Sequence, residues 1–168
     1  MKNLLQIILV LLVVLTGCKK EAVKKITISG ISETNSLGAP VGVKDTDDWG
    51  WEDEFSEDVK DLFENSFEGS RRIYTSEETT ITVYPNPCVS NFKRVLTVDE
   101  DCYFEYIIVD EFLESTNSGS GTYRAGTTIS GQQMSDKWYK PDTYYRMYYK
   151  ISYENGDYAC GHGDILKK

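Results

Sequence analysis

The chain has 168 residues and a formal net charge of -9, enough for one domain with a real core and a flanking arm. Residues 44–64 hold ten carboxylates against Lys44 and Lys60. That excess argues against nucleic acid or an anionic lipid surface as a partner for this segment.

The first element is an export signal. Lys2 supplies the positive start, and residues 4–15 form an apolar stretch broken only by Gln6. That length suits a signal-peptide core and is short for a membrane span. It ends in Leu15-Thr16-Gly17-Cys18, which resembles the lipobox of bacterial lipoproteins. The resemblance implies that residues 1–17 are removed and that the Cys18 thiol takes up a diacylglyceryl group. Membrane contact then comes through the lipid. Lys19 follows the cysteine, rather than an inner-membrane-retaining aspartate, which makes the outer membrane the expected address.

Residues 18–50 read as a tether and an irregular lead-in. Ile26, Ile28 and Ile31 alternate weakly, as an edge strand would. Asp45, Asp47, Gly50 and Asp53 invite comparison with a calcium loop. Counting from Asp45, however, Trp49 and Ser56 fall where oxygen ligands are needed, so a solvated acidic face is expected and no metal.

Residues 51–78 hold a predicted helix and a linker. Trp51, Phe55, Val59, Leu62, Phe63 and Phe67 share one face at 3.6 residues per turn. Acidic residues crowd the first turns, where the helix dipole favours them, and Gly69 suits a stop. The stripe is expected to pack on the neighbouring domain; a docking helix for a partner is the second reading.

From Thr79 the period becomes two, over 79–84, 92–98, 103–109, 122–129, 143–153 and 157–166. Turn signals separate the runs, among them residues 99–101, 117–121 and Asn155-Gly156, the last suggesting a type I′ hairpin. Short strands at this spacing predict an antiparallel sandwich over 79–168. In the run 143–153, Tyr145, Met147, Tyr149, Ile151 and Tyr153 form the core face. Tyr144, Arg146 and Tyr148 lie on the other. They are a candidate binding face for a sugar or a protein strand, or else cross-strand pairs that stabilise the sheet.

Beyond Cys18, three cysteines remain, so at most one internal bridge can form. A 92–98/103–109 hairpin would set Cys88 and Cys102 roughly 20 Å apart, too far to bridge, and Cys102 with Cys160 is the more plausible pair. Cys160-Gly161-His162-Gly163 holds the only histidine, without an evident third ligand. Neither a catalytic carboxylate pair, a Ser-His-Asp set nor a phosphate loop stands out, so neither an enzyme nor a cofactor is expected.

Tyr84-Pro85-Asn86-Pro87 follows the alternating Ile81 and Val83. Together with Pro141-Asp142-Thr143-Tyr144-Tyr145, Asn155-Gly156 and the basic end Ile165-Leu166-Lys167-Lys168, it resembles the C-terminal sorting domain of type IX secretion substrates. Asp110-Glu111-Phe112-Leu113-Glu114 stands where that family carries a Gly-Arg pair. The resemblance implies an immunoglobulin-like sandwich with Tyr84, Pro85, Asn86 and Pro87 as its sorting motif. The expected fold is therefore all-β, an immunoglobulin-like antiparallel β-sandwich with one N-terminal amphipathic helix. The expected function is a non-catalytic outer-membrane lipoprotein that binds another envelope protein or a surface glycan. The alternative is a sorting or anchoring module read by a type IX secretion system.

Replacing Cys18 with Ala should abolish incorporation of labelled palmitate. Undiminished labelling would exclude the lipobox.

Overall fold

Alternating apolar residues after Thr79 supply the interior of a sandwich. A computed structural model of the chain describes residues 25–42, 44–52, 54–64, 67–72 and 79–168. Residues 1–24, which hold the expected signal peptide and Cys18, and Asp53 lie outside them. The elements are β1 (Gly50–Glu52), α1 (Glu57–Lys60), β2 (Thr80–Tyr84), β3 (Asn91–Val98), β4 (Cys102–Val109), β5 (Ser115–Tyr123), β6 (Gly126–Gln133), β7 (Thr143–Ser152) and β8 (Tyr158–Lys167). One sheet has the order β1-β8-β7-β4-β5 and the other β2-β3-β6, with antiparallel pairing throughout. The chain is an immunoglobulin-like antiparallel β-sandwich.

The main core follows the two-residue period. Phe92, Leu96 and Val98 of β3 meet Phe104, Tyr106 and Ile108 of β4 and Tyr145, Met147, Tyr149 and Ile151 of β7. Arg94 shares the inner face of β3. Its guanidinium lies 4.1 Å from the Tyr106 ring centroid and 5.0 Å from that of Phe104, so the buried cation is met by π-faces.

The five-stranded sheet is apolar on its outer face too. Ile107, Val109, Tyr148 and Cys160 are covered by Phe55, Val59 and Phe63, with Leu62 and Phe67 half-buried beside them. The apolar stripe therefore docks on the sandwich as expected, but not as a helix over 51–67. Helix α1 is a single turn, and Trp51 lies in β1 and packs on the main core. Pairing with β8 gives the backbone of β1 partners that outweigh a helix of marginal intrinsic stability.

That pairing belongs to a longer closure. Along the outer edge of β8, Arg72 N–H donates to Tyr158 O (2.7 Å), Trp49 N–H to His162 O (2.9 Å) and Cys88 N–H to Leu166 O (2.9 Å). The glycines of Cys160-Gly161-His162-Gly163 make room. A Cβ on Gly161 would sit 2.0 Å from Gly50 O, and one on Gly163 2.2 Å from the Trp49 ring. These residues form a landing track for the lead-in.

Four local expectations change. Strands β3 and β4 belong to different sheets, so residues 99–101 cross between sheets instead of closing a hairpin. Residues 117–121 are the middle of β5; the Tyr106 ring lies so close that a Cβ on Gly119 would be 2.7 Å from it. The β7–β8 hairpin exists, but Gly156 alone in it takes positive φ (87°). Gly156 N–H donates to Tyr153 O and Tyr153 N–H to Asp157 O, which makes a three-residue loop with a bulge in place of a type I′ turn. Residues 26–31 form no strand.

Phe63 is 9% exposed within the outer-face cluster. Phe63→Asp should cost about 3 kcal/mol and lower the melting temperature of the whole sandwich. Circular dichroism melts check this, and unchanged melting would assign the stripe to a partner.

Candidate functional site

The residues singled out by sequence have different fates. Asn86 of the Tyr84-Pro85-Asn86-Pro87 motif is fully buried. Its Nδ2 donates to Asp164 O (2.8 Å) and Ser32 O (3.3 Å), and its Oδ1 accepts Leu166 N–H (3.0 Å). Its backbone exchanges two hydrogen bonds with Thr34. Pro85 and Pro87 follow cis peptide bonds on either side of it. The motif thus joins the lead-in to the last strand inside the fold.

The Tyr144, Arg146, Tyr148 face is not free as a unit. Tyr148 is buried under Phe55, ring centroids 5.2 Å apart. Arg146 is bidentate to Asp164, with both contacts at 2.7 Å. Its neighbour β8 supplies the partner directly across the ladder. Only Tyr144 stays exposed, at 40%. The cross-strand reading holds for the other two, because the lead-in covers half of the face.

Cys102 and Cys160 do not pair. Cys102 belongs to the main core and Cys160 to the outer-face cluster, on opposite sides of one sheet with β7 between their strands. Cys88, Cys102 and Cys160 are buried free thiols, and burial pushes each up to about 11. At neutral pH they stay protonated and are poor nucleophiles. The His162 ring meets the Glu52 carboxylate across the β1–β8 ladder.

Exposed aromatic surface collects instead at the end of the sandwich near Tyr144. The β4–β5 connection is organised by Asp110, whose Oδ1 accepts the N–H groups of Phe112 (2.8 Å) and Glu114 (3.0 Å). This tight turn turns Leu113 onto the outer-face cluster and leaves Phe112 42% exposed. In residues 134–142, Ser135 O accepts from Trp138 and Tyr139 N–H. Tyr139 goes inward against Tyr145, centroids 5.0 Å apart, and Trp138 is left 62% exposed. Lys167 Nζ holds Asp136 at 2.9 Å and Lys168 Nζ holds Asp142 at 3.0 Å, so the end of β8 fixes both flanks of this loop. The third wall is the lead-in, where Ile26 N–H donates to Glu111 O (2.8 Å) and Lys25 pairs with Glu111 (2.6 Å).

These walls enclose an open cleft of about 610 Å³. Phe112, Trp138 and Tyr144 stand at its rim, with Lys140, Asp142 and Glu114 among them. Tyr144 also lines a second hollow of about 450 Å³, formed with residues 29–31 and 44–46. Sequence periodicity pointed to Tyr144 but missed Phe112 and Trp138. The available signal was Trp138-Tyr139, two adjacent aromatics in a loop, where one inward side chain leaves the other outside. No protein-family model, no curated protein and no solved structure matches this chain.

Asp48 anchors the lead-in to β8. It is 6% exposed and accepts Ser32 N–H (2.6 Å) and Asp164 N–H (2.5 Å). Burial, the largest effect, pushes its carboxyl up to about 6, against the pull of those two donors. The folded state then holds a proton that the unfolded chain releases near pH 4, so this contribution is full below that pH and is lost as pH rises through about 6. The loss is at most about 3 kcal/mol. An amide here can accept only one of the two N–H groups. Asp48→Asn should therefore be less stable at every pH but flatter between pH 4 and 6.5, as urea midpoints would show.

Proposed function

We propose that the chain is a non-catalytic outer-membrane lipoprotein, tethered through Cys18, whose sandwich binds a glycan of the cell envelope. The observation that carries this reading is the set of three exposed aromatics around one cleft at the loop end of the sandwich. A rigid aromatic face suits the C–H face of a sugar ring, and its low rotamer entropy keeps the cost of binding small. Lys140, Asp142 and Glu114 offer donors and acceptors to hydroxyl groups between those platforms. Exposure of a large indole on a chain with two full apolar clusters is otherwise unfavourable, which favours use over accident. The protonated thiols support a binding role over a nucleophilic one.

A sorting module is the second reading. In its favour, strands β2 to β8 account for both sheets except β1. Against it, the Asn86 clamp and β1 tie those strands to the lead-in, so cleavage ahead of Tyr84 would strip a sheet edge. Intact-mass measurement of the mature protein separates the two, since release of residues 84–168 favours the address.

For the binding reading, glycan-array and titration experiments with the full chain should show about tenfold weaker binding for Trp138→Ala, and a similar loss for Tyr144→Ala, with melting unchanged. Glycan binding that is absent, or indifferent to both changes, would overturn it.

A further inference from the structure

The two sides of the sandwich are finished differently. The lead-in closes the β8 edge, and Thr34 Oγ1 donates to Val83 O (3.0 Å) at the β2 side. Strands β5 and β6 are the other two edges, and among the described residues no backbone hydrogen bond reaches the outer side of β5. Proteins commonly guard such edges with Lys, Pro or inward charges. Here β5 reads STNSGSGTY, nine residues without a charge or a proline, on a chain of net charge -9.

The order of those residues is close to a palindrome about Gly119. Ser118 and Ser120 flank it, and Thr116 and Thr122 flank them. A strand that meets a second copy of itself antiparallel across a two-fold at Gly119 sets Ser118 opposite Ser120 within the regular stretch 117–121, which the bulge at Thr116 ends on one side. Hydroxyl pairs of this kind favour antiparallel ladders. Gly119 faces itself and Gly121 faces Asn117, so nothing bulky blocks approach. Beyond the bulge at Thr116 the one-to-one register ends, but an antiparallel contact still brings Glu114 of each copy to the end of the strand where the other copy has Arg124. Both residues are exposed, and they are the first charges on either side of the strand.

We propose that β5 is a self-association edge: two copies pair antiparallel about Gly119, joining their five-stranded sheets into one continuous sheet. The contact is isologous, so it closes at two copies and does not propagate. The neutral edge is also where two acidic molecules approach with least repulsion. The cleft shares Glu114, Ser115 and Thr116 with one end of this strand, but the pairing is argued from the open edge and the sequence of β5, so this inference does not depend on the glycan reading.

The test is sedimentation of the full chain in detergent over a range of concentrations. The wild type should be a dimer. Ser118→Lys with Ser120→Lys sets lysines opposite lysines and should give monomer; Ser118→Glu with Ser120→Glu should do the same. An equimolar mixture of the two variants should restore a heterodimer, which misfolded chains would not do. Glu114→Arg should weaken the dimer about tenfold, and adding Arg124→Glu should restore it, which shows that the two strands run antiparallel. A wild type that sediments as monomer throughout would overturn the proposal. So would a dimer indifferent to the paired lysines, or a charge swap without recovery.

Discussion

The open edge of β8 is the constraint from which most of the lead-in follows. A terminal strand with unpaired N–H and C=O groups must be covered or left reactive. Covering it requires two close approaches, and these account for Gly161 and Gly163. It also accounts for the left-handed backbone at Trp49 (φ 59°), which turns the chain so that Trp49 stacks over Tyr149. Asn86 and Asp48 extend the same closure by side-chain hydrogen bonds to the backbone of residues 164 and 166. The lead-in is therefore part of the folding unit, and the phenylalanines that follow β1 lie on the sheet because β1 has delivered them there.

What could be read in advance depended on whether a strand had two unlike faces. Run 143–153 does, and its inward set Tyr145, Met147, Tyr149, Ile151 is the observed core. Strand β5 has no such contrast, and its Asn, Ser and Gly content resembles a turn until Tyr106 supplies the ring that fills the space over Gly119. The 51–67 stripe was legible as a buried surface but not as a backbone. The spacing of Phe55, Val59 and Phe63 suits a helix, and whether it forms one depends on a competitor, β8, more than one hundred residues away. For the same reason Arg146 and Tyr148 looked available: nothing in their own segment encodes the cover that Phe55 provides. The cleft was the least legible part, because Phe112 and Trp138 are exposed by turn geometry and not by periodicity.

The proposed anchor is only a short length of chain from the cleft. Lys25 lines the cleft, and it lies seven residues after Cys18. Fully extended, that segment spans at most about 25 Å. If Cys18 carries the proposed lipid, the aromatic rim is held near the bilayer surface, and ligands attached to the membrane or held against it would be favoured over those free at a distance.

Burial of the three thiols carries a kinetic consequence. Cys88 and Cys102 are shielded by the main core and Cys160 by the lead-in on the opposite face, so none is protected until sheets and lead-in have assembled. In an oxidising compartment, folding is then in a race with oxidation. A chain that closes first keeps three inert thiols, whereas one that pauses with both faces open presents three reactive groups that no native bridge can consume. Mispaired, disulfide-linked aggregates of this protein would act as a record of slow folding, without a change in the native state.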